Sequence, residues 1–187
     1  ALGACLATAL VGTSTPAQDC LVEAPDAYEM TVEQIVALYA CIEAAMPEAY
    51  AKEGNAIGAA YRSWTVTGTR PGPDPSHGDR LLLTFANEIA APEYLKFAAE
   101  GVEIPIGGIL AKESIAIREG TGRVGPLFIM EKVGVDAAPE TDGWRYSAVQ
   151  PNGKPMGVQQ GFCHGCHGAF ADQDSLAYPA EELRVRP

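Results

Sequence analysis

The sequence predicts an α+β fold in which a mainly antiparallel β-sheet of about five strands carries helices on one face. Two observations lead to this prediction. Apolar residues recur at helical spacing only before residue 55 and around residue 90. The centre of the chain instead contains short runs rich in Val, Ile, Leu and Thr, separated by turns with Gly and Asp. Strands that follow one another through short turns pair antiparallel, and the helices must then cover the sheet.

The first helix is predicted over residues 32–46. Thr31 and Gln34 have the spacing of a capping box, in which each side chain bonds the backbone amide of the other residue. A second, short helix is predicted from Pro47 to Glu53, since Pro suits a first helical turn. A third is predicted from Asn87 to Glu100, where Gly101 would end it.

Five segments have the composition of strands, with β-branched and aromatic residues bounded by turns. Between the first two, residues 71–78 are predicted to be a loop, because three Pro and two Gly interrupt any regular pattern there. The predicted strands are Arg62–Thr69, Arg80–Ala86, Gly107–Arg118, Pro126–Gly134 and Trp144–Gln150.

Length and charge restrict the classes of function. The 187 residues, of which 47% are hydrophobic, predict a single domain over residues 31–187. A formal net charge of -11 disfavours binding to nucleic acid, because its phosphates would be repelled, and favours cationic partners. No run of about 18 apolar residues occurs, so no membrane span is predicted.

Residues 1–30 are interpreted as the remnant of an export signal followed by an N-terminal arm. The first twelve residues are small and apolar and precede a Thr-, Ser- and Pro-containing spacer, which is typical of a signal and its cleavage region. This predicts a periplasmic or otherwise exported protein. Leu2-Gly3-Ala4-Cys5 is also similar to a lipobox, which would make Cys5 a lipid anchor; alternatively, Cys5 is an ordinary small apolar residue or an unpaired thiol.

The chain has five cysteines, and an oxidising compartment would favour bridges among the early ones. Cys20 precedes the first predicted helix and Cys41 lies within it, so we expect these two to form a disulfide. A closed loop of about 20 residues would contribute roughly 3 kcal/mol on the chain-entropy model.

The sequence Cys163-His164-Gly165-Cys166-His167 contains the C-x-x-C-H pattern of covalent haem attachment. Two thiols three residues apart on a helical turn can each bond the same porphyrin, and the adjacent His167 can then bind the iron. A structural zinc site would need further ligands, and His77 is the only other histidine. A thioredoxin-like dithiol would need a parallel-sheet context that this part of the chain does not predict. The pattern therefore favours one covalently bound haem c, held by Cys163, Cys166 and His167.

In its motifs, the chain resembles the cytochrome P-460 and cytochrome c′-β family of β-sheet mono-haem cytochromes over about residues 56–180. At one point it departs from the family pattern, because Ile106-Gly107-Gly108 stands where the family usually has Asp-Gly-Thr. The matching segments are Tyr61-Arg62-Ser63-Trp64 with Gly68-Thr69, Thr84-Phe85-Ala86-Asn87, the helix containing Tyr94, Gly107 to Glu113, Gly143-Trp144, and the C-terminal C-x-x-C-H followed by acidic residues.

The resemblance implies three uses of the haem: electron transfer with a redox partner protein, binding of nitric oxide or another small gas, and oxidation of hydroxylamine or nitric oxide by a haem cross-linked to a lysine. We rank electron transfer first. A homodimer is a further candidate assembly.

The sixth iron ligand separates these uses, since a strong internal ligand favours electron transfer. The candidates are Lys112, Met130, Met156, His77 or none. Met130 is expected to pack in the core and His77 to face solvent, while His164 is expected to point away from the iron. We expect Lys112 to lie in the haem pocket, as the sixth iron ligand or as a covalent partner of the porphyrin, because it matches the position at which the family links lysine to haem. Strand alternation alone would instead make it an ordinary solvated residue.

Overall fold

The computed structural model describes residues 20–186. Eight strands of this part form one sheet in which every pairing is antiparallel, and five α-helices accompany it, which confirms the predicted α+β class. The strands are β1 (Thr65–Val66), β2 (Gly72–Asp74), β3 (Arg80–Ala86), β4 (Ile109–Arg118), β5 (Thr121–Val124), β6 (Leu127–Lys132), β7 (Trp144–Val149) and β8 (Pro155–Met156). The helices are α1 (Val32–Ile42), α2 (Ala45–Ala51), α3 (Ala56–Ala60), α4 (Ala91–Tyr94) and α5 (Gln160–His167).

Strand β4 lies at the centre of the sheet. One of its edges pairs with β3, and the other pairs with β6 in its first half and with β5 in its second half. From β6 the sheet continues through β7 to β8. Strand β3 also pairs with the two short strands β1 and β2.

The sheet has more strands than the sequence predicted. Strand β5 follows β4 through Glu119 and Gly120, whose φ angles of 49° and 71° make a tight hairpin turn. The expectation that residues 71–78 form only a loop was wrong, because they contain β2. Pro73 is tolerated there because β2 pairs only with β3, so that its other edge needs no N–H donor. The first predicted strand shrinks to β1, since Tyr61–Ser63 forms a 3-10 turn.

The predicted capping box is confirmed at the start of α1. Thr31 Oγ1 accepts a hydrogen bond from the backbone N–H of Gln34 at 3.3 Å, and Gln34 Oε1 accepts one from the N–H of Thr31 at 2.8 Å. The third predicted helix is much shorter than expected and is limited to α4. The chain cannot continue this helix far, because Phe97 adopts a φ of 46°, which lies in the left-handed region.

Both faces of the sheet are covered, so the expectation of helices on one face only was wrong. Helices α1 and α2 pack on one face, whereas α4 and the C-terminal α5 lie against the other. The physical reason is that side chains of β4 alternate, and both sets are largely apolar. The first face contributes Leu81, Leu83, Phe85, Ala111, Ile115, Leu127 and Ile129 to a core with Ile35, Leu38 and Met46, and the second contributes Leu110, Met130, Trp144 and Tyr146 to a core with Tyr94, Cys163 and Leu176.

The predicted disulfide between Cys20 and Cys41 is confirmed, with Cα atoms 5.9 Å apart. It fixes the segment before α1 to the last turn of that helix, and Ala24, Ala27 and Met30 of this segment are buried in the first core. The proposed lipid anchor Cys5 and the export signal lie outside the described residues. Within residues 20–186, no helix has the length and apolar character needed to cross a membrane.

Candidate functional site

The C-x-x-C-H sequence occupies α5, and Gln160 fixes the first turn of this helix to the sheet. The Gln160 side chain accepts a hydrogen bond from the N–H of Tyr146 at 2.8 Å and donates one to the carbonyl of Tyr146 at 2.7 Å. These bonds satisfy backbone groups of β7 that no strand reaches at this point. The helix is thereby held across the second face of the sheet.

His167 ends α5 with its ring buried, at 8% exposure. Its Nδ1 lies 2.9 Å from the carbonyl oxygen of Ser175. A carbonyl oxygen can only accept, so Nδ1 carries the hydrogen and Nε2 keeps a free lone pair. Burial, reinforced by the positive charge of Lys112, lowers the pKa of His167 to about 4, and the neutral imidazole is the form that binds metals.

The loop that supplies this carbonyl is fixed by Asp174. The Asp174 carboxylate accepts a hydrogen bond from the N–H of Ile104 at 2.8 Å and pairs with the ammonium of Lys132. The indole N–H of Trp144 donates to the backbone carbonyl of Asp174 at 2.9 Å. Three separate elements therefore hold the chain next to Ser175, and they set the orientation of the His167 ring.

A cavity of about 740 Å³ separates α5 from the sheet. This volume lies within the range of about 300–1,000 Å³ that is usual for sites of organic ligands and cofactors. Cys163, Cys166 and His167 all line it, and both cysteines are free thiols. Much of the remaining wall is apolar and includes Leu110, Phe128, Met130, Val158 and Leu176.

The sheet side of the cavity centres on Lys112. Strand register places Thr84 and Phe128 on either side of it, with all three side chains on the cavity face. Lys112 is partly buried, and burial lowers its pKa despite the nearby carboxylate of Asp74. The structure thus brings Lys112 into the same cavity wall as the C-x-x-C-H residues.

The expectation that His77 faces solvent was wrong, since its side chain is only 17% exposed and lines the cavity. Its ring centre lies 4.9 Å from that of Phe128 and 6.3 Å from that of His167. The unexpected strand β2 causes this placement, because it pairs with β3 and directs the following turn over the sheet. Asp74 Oδ1 stabilises the turn by accepting a hydrogen bond from the N–H of Ser76 at 2.8 Å.

Burial also lowers the pKa of His77, although its contact with Asp74 opposes the shift. For Asp74, burial favours the neutral acid, but the hydrogen bond with His77 and the charge of Lys112 outweigh it and lower the pKa to about 2. Asp74 is therefore an anion near neutral pH.

The remaining histidine and the two candidate methionines differ in their surroundings. Met130 and Met156 both line the cavity, and Met130 also packs in the second core as expected. His164 contacts the hydroxyl of Tyr146 at 3.2 Å and the carboxylate of Asp142 at 3.3 Å. His164 is therefore a contact between α5 and the sheet, and more than a spacer.

Tyr178 lines the cavity, but its hydroxyl oxygen is buried and has no hydrogen-bond partner among residues 20–186. A buried hydroxyl without a partner is costly. In the same part of the chain, no three His, Cys, Asp or Glu residues are grouped so that they could hold a metal ion by themselves, as structural zinc requires.

No family model matches the chain, and no curated protein is significantly similar to it.

Several groups at the site could not be found from the sequence. No sequence pattern near His167 reveals that the backbone carbonyl of Ser175 contacts this residue. Nor does any pattern reveal that Asp174 and Trp144 hold that carbonyl in place. Asp74 and His77 were visible only as polar residues of a Pro-rich segment. A pairing of that segment with β3 would have been the signal, but the three prolines of residues 71–78 concealed the strand.

Proposed function

We propose that this protein is a mono-haem c-type cytochrome of the cytochrome P-460 and c′-β type, and that its function is electron transfer. One observation carries the proposal: two free thiols and a buried imidazole with a free Nε2 meet in the wall of one largely apolar cavity. These are the groups that a covalently attached haem needs. The largely apolar walls fit a large, mainly apolar cofactor.

Cys163 and Cys166 would attach the cofactor. Each thiol would hold the cofactor through one C–S bond, with the thiol hydrogen passing to the neighbouring vinyl carbon and nothing released. His167 would bind the iron through Nε2, with its ring held by Ser175. When bound, haem supplies an iron that gains or loses one electron.

Exposed groups at the cavity mouth support electron transfer. His167 is buried, whereas Cys166 reaches the surface beside Phe162 and Phe170, which are 77% and 40% exposed. An attached cofactor would therefore have an edge close to solvent, where a partner protein can approach. The formal charge of -11 favours a cationic redox partner.

A second candidate function rests on Lys112, which the same cavity includes. A partly buried amine with a lowered pKa could react with a cofactor, as the family resemblance implies for hydroxylamine or nitric oxide oxidation. An open sixth position would instead suit nitric oxide or another small gas.

We also propose an exported, periplasmic location. The disulfide between Cys20 and Cys41 supports it, because such bridges persist in oxidising compartments. A lipid anchor at Cys5 remains part of this proposal.

The attachment is tested with Cys163→Ser and Cys166→Ser variants, produced in cells that mature c-type cytochromes. After denaturation and extraction with acidified organic solvent, the wild-type chain should keep the visible absorption of haem. The double variant should lose all of it, and each single variant should keep at most one thioether. Wild-type protein that releases its colour would contradict the proposal.

A further inference from the structure

Two histidines lie close together in the lining of the cavity, although they are 90 residues apart in the chain. His167 belongs to α5, and His77 follows β2 on the side of the sheet. Both side chains are largely buried, and both line the same cavity. Between their ring centres the distance is 6.3 Å.

The two rings are oriented in the same way. Nδ1 of His167 faces the carbonyl of Ser175 at 2.9 Å, and Nδ1 of His77 faces the carboxylate of Asp74 at 3.3 Å. Both oxygens act only as acceptors when Asp74 is ionised, so each Nδ1 carries the hydrogen and each Nε2 keeps its lone pair. A carboxylate or carbonyl behind the imidazole is the usual support of a metal-binding histidine.

The separation suits two ligands of one metal ion. A metal–nitrogen bond of about 2 Å on each side, plus roughly 1 Å from each bonding nitrogen to its ring centre, gives a distance of about 6 Å between ring centres. The observed distance is 6.3 Å, and the ring planes are 70° apart. Such an angle is compatible with two imidazoles on one axis, because rotation about that axis leaves both bonds unchanged.

The other side chains in the cavity fit this role less well. Met156 is 36% exposed on the edge strand β8, and Met130 is packed in the second core. Lys112 has no lone pair to give until its ammonium loses a proton, whereas His77 presents one already. Phe128, whose ring centre is 4.9 Å from that of His77, packs beside the imidazole and restricts its movement.

We propose that His77 is the second axial ligand of the iron, opposite His167, with Asp74 as the residue that positions it. This inference rests on the proposed haem attachment and deepens it, since a bis-histidine iron favours electron transfer over the binding of small gases. Lys112 then contacts the cofactor without occupying the iron.

The wild-type protein provides the first test, through electron paramagnetic resonance and near-infrared magnetic circular dichroism of the ferric form. We expect a low-spin iron with the signature of two imidazole ligands. A high-spin iron, or the signature of an amine or thioether ligand, would overturn the assignment of His77.

Variants provide the second test. His77→Ala should convert the ferric iron to high spin, and added imidazole should restore the low-spin spectrum by filling the vacated position. Lys112→Leu tests the competing ligand, because leucine cannot bind iron, and this variant should stay low-spin. The reverse pattern, in which Lys112→Leu becomes high-spin and His77→Ala does not, would assign the ligand to Lys112.

Failure of this inference can be separated from failure of the proposed function. Haem attachment depends on Cys163 and Cys166, so the His77→Ala chain should keep the mass of one haem. If the wild-type chain carries haem but His77 does not bind the iron, only the proposed role of His77 is contradicted. If the wild-type chain has the mass of the bare polypeptide, the haem attachment and the role of His77 are both contradicted.

Discussion

Replacing Glu113 with Ala should destabilise the protein strongly and leave the cofactor site intact. The Glu113 carboxylate is 1% exposed and belongs to the first face of the sheet, opposite the cavity. It accepts hydrogen bonds from the hydroxyl of Tyr39 at 2.9 Å, from the hydroxyl of Tyr61, and from Nε of Arg62 at 2.6 Å. The variant would leave all three donors without this acceptor.

The expected loss of stability depends on the contacts that Arg62 keeps in the variant. Removing one partner of a buried ion pair costs about 3–5 kcal/mol. Arg62 keeps a hydrogen bond to the carbonyl of Glu43 at 3.0 Å and is 25% exposed, which favours the lower end of that range. We therefore expect a loss of about 3 kcal/mol in the free energy of unfolding, or roughly 6–12 °C in Tm.

Equilibrium unfolding in urea measures this loss, and the visible spectrum of the folded variant measures the cofactor site. Glu103→Ala is the matched control, because Glu103 is exposed, and it should change stability by less than about 0.5 kcal/mol. A loss below about 1 kcal/mol for Glu113→Ala would refute the reasoning about the buried pair. A changed iron spectrum would refute the assignment of Glu113 to the face opposite the cavity.

Two further predictions concern the supports of the fold and of His167. The Cys20→Ser/Cys41→Ser double variant should lose roughly 3 kcal/mol of unfolding free energy, and reduction of the wild type should match it; an unchanged urea midpoint would contradict this. Trp144→Phe keeps most of the buried volume but removes the hydrogen bond to Asp174, which should cost about 1–3 kcal/mol. In this variant, the backbone amides of the loop near Ser175 should exchange hydrogen faster than in the wild type. Unchanged exchange there would show that Trp144 does not support His167.

The parts of the fold that could be predicted are those in which local chemistry and tertiary packing agree. The capping box of α1 depends on side chains three residues apart, and the central strands β3, β4, β6 and β7 have long runs of strand-forming residues. The Cys20–Cys41 bridge followed from position alone.

The missed features depend on distant partners. Strand β2 exists because it pairs with β3 despite Pro73, and the inward position of His77 depends on that pairing. The predicted helix over residues 87–100 mostly failed, because the chain turns out of the helix where Phe97 adopts a left-handed φ of 46°. The support of His167 uses a backbone carbonyl, which any residue could supply.

The central claim, one haem attached through Cys163 and Cys166, is tested most directly by the intact mass of the denatured wild-type protein. The protein should be purified from cells that mature c-type cytochromes. The mass should exceed that of the polypeptide by one haem, and peptide mapping should locate the addition on the segment containing both cysteines. A mass equal to that of the bare polypeptide, or an addition elsewhere in the chain, would contradict the claim.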